Sequence, residues 1–250
     1  MDERGGLEQY MLLCGQIADE VRRELESKLG SGILSGAEVI GLLHGFCSAL
    51  DEQWTKIKDR FACAGGCAWC CRQQVLCSPA EALYIGKFLN DHLSADLPED
   101  HAAIFRDLAA TIRWTAERTA DMNGDQFYES GLGCPLLLDG WCLIYDARPF
   151  ICRAIAVYNK KACTEGPNAT VVHDAHWLAL CDGIQAGVSD FLESRGLDHR
   201  PVRLHLALAA ALDDPGLFER WMRGERMPES VRVPLSEVQE IVADHVRLNP

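Results

Sequence analysis

No lysine- or arginine-rich run occurs in these 250 residues, and 24 basic against 37 acidic side chains leave a formal charge of −13. An extended nucleic-acid footprint needs a stripe that neutralises phosphates, so this balance argues against nucleic acid as a partner, and equally against anionic membranes and acidic substrates. There is no internal repeat, no low-complexity tract and no glycine-rich phosphate loop. Nor is there an apolar run long enough to span a bilayer. The opening stretch MDERGGLEQYMLLCGQ is charged before it is apolar, and its apolar part is short and interrupted. The expectation is therefore a cytoplasmic chain without signal peptide or membrane span. Disorder is excluded by the 48% of apolar residues, enough to fill the core of one generous domain or two small ones.

What the chain does have is twelve cysteines. In a reducing compartment they remain thiols unless a metal holds them, so clustered cysteines read as metal-binding or catalytic before they read as disulfides. Four fall within the nine residues CAGGCAWCC, at Cys63, Cys67, Cys70 and Cys71. Three more follow in CPLLLDGWCLIYDARPFICR, at Cys134, Cys142 and Cys152.

The surroundings are helical in pattern. Apolar positions from Leu7 to Leu25 recur at three-to-four spacing, predicting a helix over 7–29 that ends near Gly30. A second helix is expected from Ala37 to about Phe61. A third opens at Ser78-Pro79-Ala80-Glu81, which supplies an N-cap, a proline at the first helical position and a capping-box glutamate. A fourth covers 98–120, with Glu99 and Asp100 at the positive end of its dipole. From Asp174 onward the pattern is helical again, and a second capping box at Ser236 predicts a last helix to about Leu248. Asp139-Gly140 between two apolar runs predicts a β-hairpin with a type I′ turn, in which Cys142 faces Leu137. Cys134 would fall on the other side of that ribbon, and Pro135 lets it turn off. The fold class is thus mainly α: a helical domain with an irregular cysteine-rich centre and a short β-hairpin. Its segments are 1–62, N-terminal helices; 63–153, the cysteine region; and 154–250, C-terminal helices, together forming one unit.

Were Cys63 to Cys71 helical, the 100° step would hold their four side chains within about 100° of arc. Gly65-Gly66 argues for a glycine-opened turn instead. As neighbours, Cys70 and Cys71 must differ in role. Cys14, Cys47 and Cys181 sit in apolar helical settings and read as core. Cys77 and Cys163 lie in loops near the site and stay open between ligand and bystander. His173 and His176 read as capping or core residues. DMNGD, 121–125, lacks the glutamate that completes a calcium loop and reads as solvated loop. Arg148 and Arg153 either offset the negative charge of a thiolate cluster or pair with acidic side chains.

Cys63-x3-Cys67-x2-Cys70-Cys71, with Cys134-Pro135, Cys142-Leu143-Ile144-Tyr145 and Arg148-Pro149-Phe150-Ile151-Cys152-Arg153, resembles the YkgJ-type cysteine-cluster family, the CxxCxxCC zinc- or iron-chelating domain. The resemblance covers about 63–153. It implies chelation of a metal or an iron-sulfur cluster, with those seven cysteines as candidates that exceed the four a single centre needs, and a distant branch of the family contains flagellin lysine N-methylases.

Seven matched cysteines without a matched histidine favour an iron-sulfur cluster, with zinc as the alternative. Three functions follow: a metal or iron-sulfur protein with redox or metal-handling duty, a zinc-stabilised helical scaffold for a protein partner, or a cluster-dependent enzyme. Cys63-x3-Cys67-x2-Cys70 has the spacing of radical S-adenosylmethionine enzymes, but the helical segment before it and the sequence after it supply no barrel. A lysine N-methylase of the flagellin type escapes that objection.

Overall fold

The computed structural model describes residues 3–159, 163, 174–234 and 237. Nine α-helices and two two-stranded sheets make up the described residues, the mainly α fold with a short hairpin that the sequence predicts. The predicted helix of 236–248 and His173 lie outside the described residues.

Helix α1, Glu3–Leu29, lies along α7, Ala175–Ser194. Gly183 and Gly187 make this approach possible: a Cβ on Gly187 would sit 2.5 Å from the Ala18 carbonyl oxygen. Tyr10 on α1 donates its hydroxyl to Asp182 on α7. Helix α2, Gly36–Ile57, starts on a Ser35–Glu38 capping box and gives way to a 3-10 turn at Lys58–Arg60, so the expected helix to Phe61 stops early.

Strand β1, Leu76–Cys77, leads into α3, Pro79–Ser94. As predicted, Ser78 caps α3: its hydroxyl accepts from the Glu81 amide at 3.3 Å, and Glu81 accepts from the Ser78 amide at 2.9 Å. Helix α4, Glu99–Thr119, follows. The stretch read as solvated loop instead opens α5, Gly124–Ser130, because Asn123 and Gln126 form a capping box and Gly131, at φ +71°, ends it. Strands β2, Leu137–Leu138, and β3, Trp141–Cys142, form the predicted hairpin, with Leu137 opposite Cys142. Asp139 and Gly140 take φ of +50° and +83°, the type I′ signature.

Helix α6, Phe150–Ala154, is a single turn packed on α7. The region after Asp174 is not purely helical. Strand β4, Val202–Arg203, pairs antiparallel with β1, then α8, Leu204–Asp213, and α9, Leu217–Met222, complete the described helices. One buried apolar cluster runs from Val21 to Val231 and takes in all three sequence segments. Its arrangement sets the 63–71 loop, the hairpin and α6 around a common space.

Candidate metal centre

The CAGGCAWCC segment is a glycine-opened turn rather than a helix. The Cys67 amide bonds the Ala64 carbonyl at 3.1 Å, Gly66 takes φ +78°, and the chain then tightens into a 3-10 turn over Cys70–Arg72. Its start is tied to the far side of the site by the Ala62 amide, 2.8 Å from the Val157 carbonyl. Arg72 lies against the rings of Trp69 and Tyr128.

The second cysteine segment docks directly on the first. The Cys134 amide donates to the Cys71 carbonyl at 2.6 Å, which is how Cys134 turns off the ribbon before Pro135. Trp141, on the hairpin, lays its indole over Gly65-Gly66; a Cβ on Gly65 would come within 3.1 Å of the ring. A Cβ on Gly140 would meet the Gly66 carbonyl at 3.4 Å. Two glycine-rich turns thus approach because neither carries a side chain there.

All seven predicted cysteines, Cys63, Cys67, Cys70, Cys71, Cys134, Cys142 and Cys152, line one cavity of about 860 Å³. Asp51 and Trp54 from the end of α2, Lys58 from the 3-10 turn and Phe61 also line this cavity. Trp54 stacks on Phe61 at 5.2 Å between centroids and reaches Trp177 at 5.5 Å. A second recess of about 650 Å³ beside the loop is lined by Trp69, Arg72 and Leu132 and shared by Cys67, Cys71 and Cys134.

The thiols share a cavity without meeting at a point. Among the described residues, no three His, Cys, Asp or Glu side chains are gathered closely enough to hold a metal ion. In donor type and number the set suits a soft ion or cluster, since four thiolates satisfy a tetrahedral zinc or a 4Fe-4S centre. In separation it is an open set that must draw in.

Burial holds Cys134, Cys142 and Cys152 protonated. It pushes Cys134 up to about 12, raises Cys142, and raises Cys152 well above the ordinary thiol range. Cys70 is raised first by its hydrogen bond with Cys71 and then by burial. The Arg148 guanidinium opposes the rise at Cys70, Cys142 and Cys152. A metal taken up here displaces protons.

The remaining cysteines separate. Cys47 and Cys181 are core, and Cys14 is part-exposed on α1. Cys77 is 1% exposed in the core cluster and does not line the cavity. Cys163 stands near Cys63, Cys67 and Cys70, on the side of the loop. His176 sits in the first turn of α7, beside the Asp174 cap.

Sequence reasoning missed Asp51 and the reach of Glu81. Asp51 receives both arginines of the Arg-Pro-x-x-Cys-Arg segment: Arg148 at 3.5 Å, and Arg153, whose side chain is fully buried. Glu81, buried at the head of α3, also accepts the Phe150 amide at 2.8 Å and so fixes the turn that carries Cys152. Neither contact was readable, because each joins residues far apart in sequence.

No family model, no curated protein and no solved structure matches the chain. Among the described residues no helix is long and apolar enough to cross a membrane.

Proposed function

We propose that this chain is a metal-binding protein whose cysteine-lined cavity takes a thiolate-held centre, an iron-sulfur cluster ahead of zinc, with a redox or metal-handling role. One observation carries the reading: seven cysteines from two segments more than sixty residues apart line a single cavity. Buried free thiols serve elsewhere as small apolar residues, but a core does not need adjacent cysteines among glycines facing a cavity of about 860 Å³. The likeness of these motifs to the YkgJ-type cluster family supports the same reading. When bound, an iron-sulfur cluster supplies electron transfer and zinc supplies a rigid cross-link. The chain's own contribution is to bring the 63–71 turn, the hairpin and α6 together, to lay Trp141 over Gly65-Gly66, and to place Arg148 beside the thiols.

The test is protein made and kept without oxygen. Brown protein with comparable iron and sulfide, bleached by dithionite, is the expected result. Colourless protein with stoichiometric zinc would replace the cluster by a zinc-stabilised scaffold for a protein partner, and protein without metal would overturn both. The cavity also favours a second reading, a cluster-dependent enzyme of the lysine N-methylase kind, because its volume falls in the range of about 300–1,000 Å³ typical of small-molecule sites. Binding of an organic co-substrate to the metal-loaded protein, measured calorimetrically, separates that reading from a simple metal carrier.

A further inference from the structure

The second recess, beside the 63–71 loop, has a volume of about 650 Å³, within the range of about 300–1,000 Å³ typical of small-molecule sites. Among the described residues Arg72 is the one charged residue that lines it; the rest of the lining is glycine, cysteine, alanine, leucine and tryptophan. In a chain with 37 acidic side chains, a recess lined by an arginine and no carboxylate favours an anion. The neighbouring arginines are engaged: Arg148 and Arg153 share Asp51, and Arg60 pairs with Asp174 at 2.9 Å. Arg72 instead lies with its guanidinium carbon 5.7 Å from the Trp69 ring centre and 5.2 Å from that of Tyr128. Among the described residues its guanidinium has no hydrogen-bond or ion-pair partner. Rings hold a guanidinium through its faces, whereas its N–H donors lie in its plane. The donors therefore stay available to a ligand, and the two rings have already restrained the side chain, which lowers the ordering cost of binding. Gly65 and Gly66, which also line the recess, have amides without a main-chain acceptor among the described residues.

We propose that this recess binds a small organic molecule through an oxyanion group, a carboxylate or a phosphate, which Arg72 holds while the apolar part of the molecule lies against Trp69, Leu132 and Leu137. The planar fork of a guanidinium matches either oxyanion with two parallel hydrogen bonds. The site needs no metal in the neighbouring cavity and stands apart from the metal-binding reading.

The test is titration calorimetry of the full chain, kept without oxygen so that its thiols stay reduced, with phenyl phosphate, benzoate and inorganic phosphate as probes. One of the two aromatic anions should bind with a stoichiometry of one and more tightly than inorganic phosphate, and the Arg72→Gln variant should bind it about tenfold more weakly or worse, as the loss of a hydrogen bond to a charged group requires. Tighter binding of phenyl phosphate assigns the oxyanion as phosphate, and tighter binding of benzoate assigns it as carboxylate. If the variant does not fold, the parent decides the same point. Phenylglyoxal modifies guanidinium groups, and a saturating probe should slow its reaction at Arg72 about tenfold, read by mass spectrometry, while leaving Arg118, which lies over the Trp114 ring at 4.0 Å, as an unchanged internal reference. Absence of binding by both aromatic anions, binding unaltered by Arg72→Gln, or equal slowing at Arg72 and Arg118 would overturn the site. Inorganic phosphate bound as tightly as phenyl phosphate would overturn the organic part of the assignment. Each of these failures leaves the metal-binding reading as it stands, because that reading is decided by the metal content of anaerobic protein.

Discussion

Replacing Glu81 by alanine tests whether α3 sets the position of Cys152. The carboxylate accepts three hydrogen bonds, from the Ser78 amide at 2.9 Å, the Ser78 hydroxyl at 2.7 Å and the Phe150 amide at 2.8 Å. The hydroxyl can rotate to another acceptor, but the two amides are buried and would be left alone, each at about 1–3 kcal/mol. Against that stands the cost of burying the carboxyl, which raises its pKa despite the Phe150 and Ser78 hydrogen bonds. A net loss of about 3 kcal/mol is expected in urea unfolding. Ser78→Ala is the control: it removes the hydroxyl cap, worth about 1 kcal/mol, and leaves the Phe150 bond in place. The decisive readout is local. In metal-free protein, Cys152 should be alkylated about tenfold faster in the Glu81→Ala variant, because one freed amide bond at the head of α6 lowers its opening energy by about 1.4 kcal/mol or more. Equal losses of stability in the two variants, with Cys152 unchanged in both, would show that Glu81 is only a helix cap.

Gly140→Val should cost about 1–2 kcal/mol, because it places a branched side chain at φ +83°, 3.4 Å from the Gly66 carbonyl, and it should speed loss of metal to a chelator; unaltered retention would detach the hairpin from the site. His205 is buried against Thr119, whose hydroxyl lies 2.8 Å from Nε2, and burial, aided by Arg203, lowers its pKa to about 4. Its neutral form therefore contributes stability that is intact above about pH 6.5 and is lost as pH falls toward 4, about 3 kcal/mol in all. His205→Gln should flatten that part of the pH–stability curve, and an unchanged slope would refute the assignment. Arg148→Gln should leave the metal-free protein within about 1 kcal/mol of the parent, since its buried Nε has no partner, while weakening metal retention in chelator competition; unchanged retention would reduce Arg148 to a companion of Asp51.

Local signals in this sequence proved legible and distant ones did not. The capping box at Ser78, the Asp139-Gly140 turn and the Leu137–Cys142 register each depend on residues within six positions, and all three appear as predicted. The β1–β4 pairing escaped notice because each strand is two residues long, too short for a period-two pattern, and the partners are more than 120 residues apart. DMNGD was misread because its acidic residues drew attention to calcium, whereas the operative residues are Asn123 and Gln126, which close a capping box. At the site, the cysteines identified themselves by clustering. Asp51 did not, since a lone aspartate in an amphipathic helix is indistinguishable from a solvated one until Arg148 and Arg153 arrive from the other end of the cavity.

That meeting also bears on the charge of the centre. Arg153 is locked by Asp51 and by the carbonyls of Arg148, at 3.1 Å, and Asp146, at 2.7 Å, so its guanidinium serves the backbone of the 146–153 corner. Arg148 shares the same carboxylate at a longer 3.5 Å, lies 3.9 Å over the Tyr145 ring and keeps a buried Nε without a partner. Two guanidiniums thus share the Asp51 carboxylate in a half-buried setting, with Glu81 also within electrostatic reach of Arg153. A guanidinium held partly out of water is costly unless an anion answers it, because removing a cation from water costs several kcal/mol. Cys70, Cys142 and Cys152, whose ionised forms Arg148 favours, are the groups that would become anions beside it on taking up a metal. Four thiolates around a divalent ion would carry two negative charges, and a guanidinium beside them would offset part of that charge. The corner that brings Cys152 to the cavity also brings both Arg148 and Arg153 to it.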